Sequence, residues 1–187
     1  VVLPPPAAPV GVPDFGERTS IALLHRGQAL RVGDPVERAF QVFPAPPKSY
    51  DFFELPRGFG RQFRARGWET NYESFGVIAY QGKIVVALHV LENATKEELD
   101  GLVKDLELQV PTTALTIGAK QITYWFWEAG NHRLVVCAQP AEKGDFTITE
   151  GIGVAEAMSA IRLDPISAQS DVGTAENLLS RRTNPGT

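Results

Sequence analysis

Three histidines, one cysteine, a run of arginines and three tryptophans are the side chains whose chemistry could exceed core filling. His25, His89 and His132 do not fall in an H-x-x-x-H or H-E-x-x-H pattern, the spacings that bring two imidazoles to one helix face around a metal. They read as structural or solvent-facing groups, so neither a metal site nor a catalytic residue is expected. Cys137 stands in the apolar run Leu134-Val135-Val136-Cys137-Ala138, where a buried thiol has a raised pKa and low reactivity. It reads as a small hydrophobe, and a dyad with His132 is rejected because the five intervening steps run from a turn into an apolar strand. A single cysteine excludes an intrachain disulfide and a Cys-rich zinc site. Gly58-Phe59-Gly60 and Gly151-Ile152-Gly153 have too few glycines for a phosphate cradle or a dinucleotide fingerprint, so no cofactor is expected. The chemistry leans away from an enzyme.

Binding is the other use of such residues. Arg57, Arg61, Arg64 and Arg66 fall within ten positions that contain no acid. In an extended strand Arg64 and Arg66 share one side with Gln62, while Arg61, Phe63 and Ala65 face the other. Guanidinium forks suit carboxylates and phosphates; the competing reading is an edge strand protected from aggregation by charge. Trp125 and Trp127 share one face of a strand whose opposite face carries Tyr124 and Phe126. One of those faces must serve the core, leaving the other for a covering loop or a partner. The candidate binding set is therefore Trp68, Trp125, Trp127, Phe52, Phe53, Phe59, Arg61, Arg64 and Arg66.

These residues must be positioned by a chain of 187 residues that is 43% hydrophobic and 21% charged, an ordinary globular composition. The net charge of −4 argues against nucleic acid as a partner. No apolar run reaches the length of about 18 residues that a membrane helix requires. Residues 1–19 hold five prolines and two glycines and read as an extended, flexible leader. The Pro/Ala-rich start favours a mature exported chain with a peripheral tether over a cytoplasmic one. Residues 164–187 read as a mobile tail.

Between these ends, residues 20–163 form one α+β unit. Ser20–Leu24 and Ala29–Val32 flank the turn Arg26-Gly27. Gly33-Asp34-Pro35-Val36-Glu37 starts a helix, with Asp34 as cap and Glu37 closing a capping box, and Val36, Ala39, Phe40 and Phe43 follow helical spacing. Residues 44–60 form a Pro/Gly/aromatic loop. Strands are expected at 61–66, 71–80 and 83–91, the last two joined by Gln81-Gly82. A second capping box, Thr95 to Glu98, opens a helix with its stripe at Leu99, Leu102, Val103 and Leu106. Strands at 114–117, 121–128, 133–139 and 145–150 and a closing helix at 154–161 complete the order. The expected fold is two similar helix-plus-hairpin halves, about 27–92 and 93–163, sharing one core, with a mainly antiparallel sheet and helices packed on one face.

Gly33-Asp34-Pro35-Val36-Glu37-Arg38-Ala39, followed by Ile122-Thr123-Tyr124-Trp125-Phe126-Trp127 and Arg133-Leu134-Val135-Val136, resembles the glycine-plus-helix signature and aromatic strand pair of β-lactamase inhibitory proteins and small outer-membrane assembly lipoproteins. The resemblance spans about residues 27–139. It implies a non-enzymatic scaffold whose sheet face or loops bind another macromolecule. The function expected is thus an interaction module for a protein partner, with a small-ligand carrier lined by aromatics as the alternative.

Overall fold

The structure, a computed structural model, describes residues 9–43, 55, 58–70, 72–107, 113–117, 122–142, 145–161 and 163. The C-terminal tail and most of the aromatic loop, with Phe52, Phe53 and Arg57, lie outside the described residues. The chain begins with a small hairpin, β1 (Leu23–His25) and β2 (Gln28–Leu30), and then α1 (Val36–Val42). A meander follows, of β3 (Phe63–Glu69), β4 (Glu73–Tyr80) and β5 (Lys83–Ala94). Next come α2 (Lys96–Glu107), β6 (Thr113–Ile117), β7 (Ile122–Ala129), β8 (His132–Pro140), β9 (Phe146–Val154) and α3 (Ala155–Ala160). Seven strands form one antiparallel sheet in the order β3-β4-β5-β9-β8-β7-β6, so the fold is α+β.

Turn chemistry explains the hairpins. Arg26-Gly27 and Gln81-Gly82 both take positive φ at each central position, the backbone that matches the twist of two-residue hairpins. Thr95 opens α2 with the expected reciprocal box: its N–H donates to Glu98 Oε2 at 2.8 Å, and the Glu98 N–H donates to Thr95 Oγ1 at 3.1 Å. At α1 the expected cap is replaced. Asp34 instead accepts from the Arg31 N–H at 2.8 Å and pairs with Arg18, and Pro35 takes the cap position without a side-chain bond. The reason is a tertiary contact: the Val36 N–H donates to the Gly82 carbonyl in the β4–β5 turn, and Gly33 and Asp34 exchange hydrogen bonds with Ile84. The helix start is stitched to the sheet, so it needs no capping side chain.

Strand register sorts the core into two layers. Trp68, Phe75, His89, Glu150, Val136 and Trp125 are successive cross-strand neighbours on one face from β3 to β7. Phe43 at the end of α1 lies 4.6 Å from Phe75 and 5.8 Å from Trp68, so α1 covers that face. Gly151 and Gly153 point to the opposite face, where a Cβ would run into Leu163 and Met158. The helices were expected on one face, but α3 closes the side that α1 leaves. The cause is visible in the strands: β5 is buried at every position from Ile84 to Val90, so both its faces need cover. The same packing extends β9 through Gly151-Ile152-Gly153, beyond the end expected at Glu150.

Residues 9–19, the described part of the Pro-rich leader, run against the body. Val10 bridges Phe59, and the side chain of Asn131 donates to the Asp14 carbonyl. His132 is buried between the Thr19 hydroxyl, 3.0 Å from its Nδ1, and the Phe15 carbonyl at its Nε2.

A methyl group at Gly151 should be costly because Leu163 occupies its place. Gly151→Ala is expected to lower the unfolding free energy by about 1–3 kcal/mol. Leu163→Ala in the same chain should recover part of that loss, measured as a coupling of about 1 kcal/mol in a urea double-mutant cycle.

Candidate functional site

Four polar side chains converge on the sheet face beneath the β1–β2 hairpin. The apolar run before His25 buries Ile21, Ala22 and Leu23, and the Arg26-Gly27 turn reverses the chain so that His25 hangs over the sheet. Glu73 and Phe75 are two apart on β4 and share a face. Phe75 pairs in register with His89 on β5, and His89 pairs with Glu150 on β9. The pleat therefore stacks Glu73, His89 and Glu150 across three adjacent strands.

His89 is held on both nitrogens. Its Nδ1 lies 2.9 Å from Glu150 Oε2 and its Nε2 3.1 Å from Glu73 Oε1. The Phe75 ring stacks on the imidazole at 4.9 Å with an interplanar angle of 4°. His25 meets the same imidazole edge-on at 5.0 Å and is edge-on to Phe43 and Phe75 as well. His25 is 7% exposed, and its Nε2 is buried with no hydrogen-bond partner among the described residues. Glu73, with its side chain 19% exposed, is the solvent side of the cluster, and Arg26 reaches it at 4.0 Å from the hairpin turn.

Electrostatics separates the two histidines. Burial pulls the pKa of His89 down, but the hydrogen bond and charge of Glu150, with those of Glu73, outweigh it and hold His89 above 6.5. His25 goes the other way: burial lowers its pKa first, then the charge of His89, against a smaller raising effect from Glu73. The arrangement is a buried imidazole whose charged form two carboxylates favour, beside a second imidazole whose charged form burial disfavours. It holds charge firmly, and a nitrogen donor, a carboxylate and a second nitrogen converge in it. One ligand atom each from His25, Glu73 and His89 lie within 4.8 Å of one another.

The residues singled out from sequence are dispersed. Trp68 and Trp127 are fully buried core, Trp125 is half-buried against that core, and Phe59 is half-buried with its ring edge-on to Phe63. Trp68 and Trp127 are therefore set in packing. Arg61, Arg64 and Arg66 are exposed, the last two on β3 at the edge of the sheet, with Arg66 6.0 Å above the Phe40 ring. Helical ligand spacing does not reveal these histidines, because they come from different strands. The usable signal is His89, an ionisable group inside the apolar run Val85-Val86-Ala87-Leu88-His89-Val90-Leu91, since such groups are rarely buried without partners.

No known protein family matches the chain, and no curated protein does. Among solved structures, a cysteine-rich secretory protein from Staphylococcus aureus aligns with a TM-score of 0.38 and 10% identity, over 70% of this chain and 45% of that one. This chain thus spans less than half the length of that protein.

Two measurements check the cluster. His89 carries a raised folded pKa, so its contribution to stability is complete below its unfolded value of about 6.5 and is lost as pH rises through the folded value. The groups facing it are His25, Arg26, Glu73 and Glu150. In EDTA-treated buffer, the stability difference between His25→Leu and His25→Leu/His89→Gln should shrink as pH rises above about 6.5. A difference that grows with pH would contradict the ion pair. Separately, Glu150→Ala leaves the buried imidazole short of a partner and should cost about 3–5 kcal/mol at pH 6 in a denaturant titration.

Proposed function

We propose that the chain is a non-enzymatic binding module that docks a protein partner at the end of the sheet where the β1–β2 hairpin meets the β3–β4 turn. One observation carries this reading. Two of the large apolar side chains exposed among the described residues, Tyr72 at 64% and Leu24 at 37%, flank the Arg26–Glu73 ion pair that joins these turns. Tyrosine and arginine are the side chains most often found to dominate binding energy at protein interfaces. The buried cluster supports the same reading from below. Glu73 is fixed by His89, which is fixed by Glu150, so Arg26 and Tyr72 stand on a rigid base and little ordering entropy is lost on docking. The surface suits a partner that offers an apolar ridge beside a carboxylate.

The partner role is also what the resemblance to inhibitory and assembly proteins implies, although the aromatic sheet face first expected to serve it is occupied by core packing. Neighbouring rings among Phe40, Phe43, Trp68 and Phe75 stand 4.6–5.9 Å apart in stacked, tilted and edge-on contacts, which supports core use over a carrier pocket.

The test is quantitative capture from an extract of the native organism by the full chain and by Tyr72→Ser/Leu24→Ser, two surface changes expected to leave the unfolding midpoint unchanged. A species retained by the native chain, rebinding it when purified, and losing at least about tenfold in affinity with the variant would support the surface. Equal binding by both chains, or none by either, would overturn it.

A further inference from the structure

We propose that His25, Glu73 and His89 form a binding site for a divalent transition-metal ion of the zinc type, with Glu150 as the group that orients His89. The ligand set is the first argument. Two imidazoles and one carboxylate are a combination that zinc accepts, with bond lengths of about 2.0–2.2 Å that place neighbouring ligand atoms about 3.3 Å apart in a tetrahedron. His89 Nε2 and Glu73 Oε1 already stand at 3.1 Å, and all three ligand atoms lie within 4.8 Å. Only His25 has to move inward. It sits on a two-stranded hairpin outside the main sheet, beside a two-residue turn, where such a shift disturbs no central strand.

The second argument is the unpartnered nitrogen. A buried imidazole nitrogen without a hydrogen bond is destabilising, because its lost hydration is not replaced. An arrangement that served packing alone would place an apolar side chain among Phe43, Phe75 and the His89 ring. A metal ligand explains why a histidine stands there.

Orientation supplies the third. When a histidine binds a metal through one nitrogen, its other N–H is commonly donated to a carboxylate, which fixes both tautomer and ring direction. Glu150 Oε2, 2.9 Å from His89 Nδ1, is in that position, and it leaves Nε2 turned toward Glu73 and His25. Charge agrees. Two carboxylates meet a single imidazole in this buried cluster, and among the described residues Arg26, at 4.0 Å from Glu73, is the cation paired with them. A divalent cation beside neutral His89 would balance both carboxylates. Glu73 is the most exposed of the four cluster side chains, which gives an ion a way in. No helical histidine pattern announces the site because its ligands come from three different strands.

The experiment is calorimetric titration of zinc chloride into the full chain after dialysis against EDTA, with His25→Leu, Glu73→Gln and Glu150→Gln alongside. The native chain should take up one ion. Glu150→Gln should bind about 10–100-fold more weakly, as loss of an orienting carboxylate does, and Glu73→Gln and His25→Leu should lose the site. His25→Leu also removes the unpartnered nitrogen, so it should melt at or above the temperature of the metal-free native chain. That separates loss of a ligand from loss of the fold. A zinc-soaked crystal of the native chain provides a measurement free of variants, with an anomalous peak expected between His25, Glu73 and His89. Absence of stoichiometric uptake by the native chain, or uptake unchanged in both His25→Leu and Glu73→Gln, would overturn the proposal.

Discussion

The pairing of β5 with β9 carries the rest of the structure, and the His89–Glu150 contact lies inside it. In the strand order, β3-β4-β5 stands on one side of that seam and β9-β8-β7-β6 on the other, so this pairing alone unites the two parts of the sheet. Placing a charged pair at such a seam is demanding. Removing two ions from water costs several kcal/mol each, recovered only when geometry is good and the remaining polar atoms are partnered. Here the second nitrogen of His89 is met by Glu73 from β4, and Arg26 meets Glu73 from the hairpin. The chain of contacts Arg26–Glu73–His89–Glu150 thus ties the β1–β2 turn to β4, β5 and β9. Slipping β5 by one residue against β9 would turn His89 toward the opposite face and leave both carboxylates unmatched.

Much of this architecture is legible in sequence, because it follows from local rules. Arg26-Gly27 and Gln81-Gly82 announce hairpins by the φ values that their positions require, and Thr95 with Glu98 announces a helix start by reciprocal hydrogen bonds within four residues. The misreadings share one cause, which is contact between residues far apart in the chain. Asp34 has the right spacing for a cap, but the carbonyl of Gly82 reaches the helix start first. Gly151-Ile152-Gly153 looks like a strand end, but the glycines are kept small by Leu163 and Met158 arriving from the segment beyond. The polar cluster is the extreme case. His25, Glu73, His89 and Glu150 are separated by 16 to 64 positions where they touch, and only the tertiary fold makes them neighbours.

The tryptophans show the converse. Their number and alternation suggest a surface worth binding, and that alternation is real, since Trp125 and Trp127 do share a face. Yet the sheet face under α1 needs large side chains to fill its layer, and Trp68 and Trp127, both on that face, serve that need. Aromatic richness therefore reports how much volume this core must fill. Functional information resides in residues that a core would exclude.

That distinction bears on why the cluster exists. Apolar side chains of similar volume at positions 73, 89 and 150 would pack against Phe75 and Phe43 without the cost of desolvating charge, and such replacements are often neutral or stabilising. Register specificity is one return on that cost, and a single buried pair across β5 and β9 would supply it. It does not require Glu73 or a neutral second imidazole. His25 adds an unpartnered nitrogen, and Glu73 leaves the cluster with more negative charge than His89 balances. Both departures from the economical solution stand next to Arg26, which follows His25 in the chain and pairs with the more exposed Glu73. Stability alone accounts for the inner half of this network; the outer half is the part that the proposed metal site would account for.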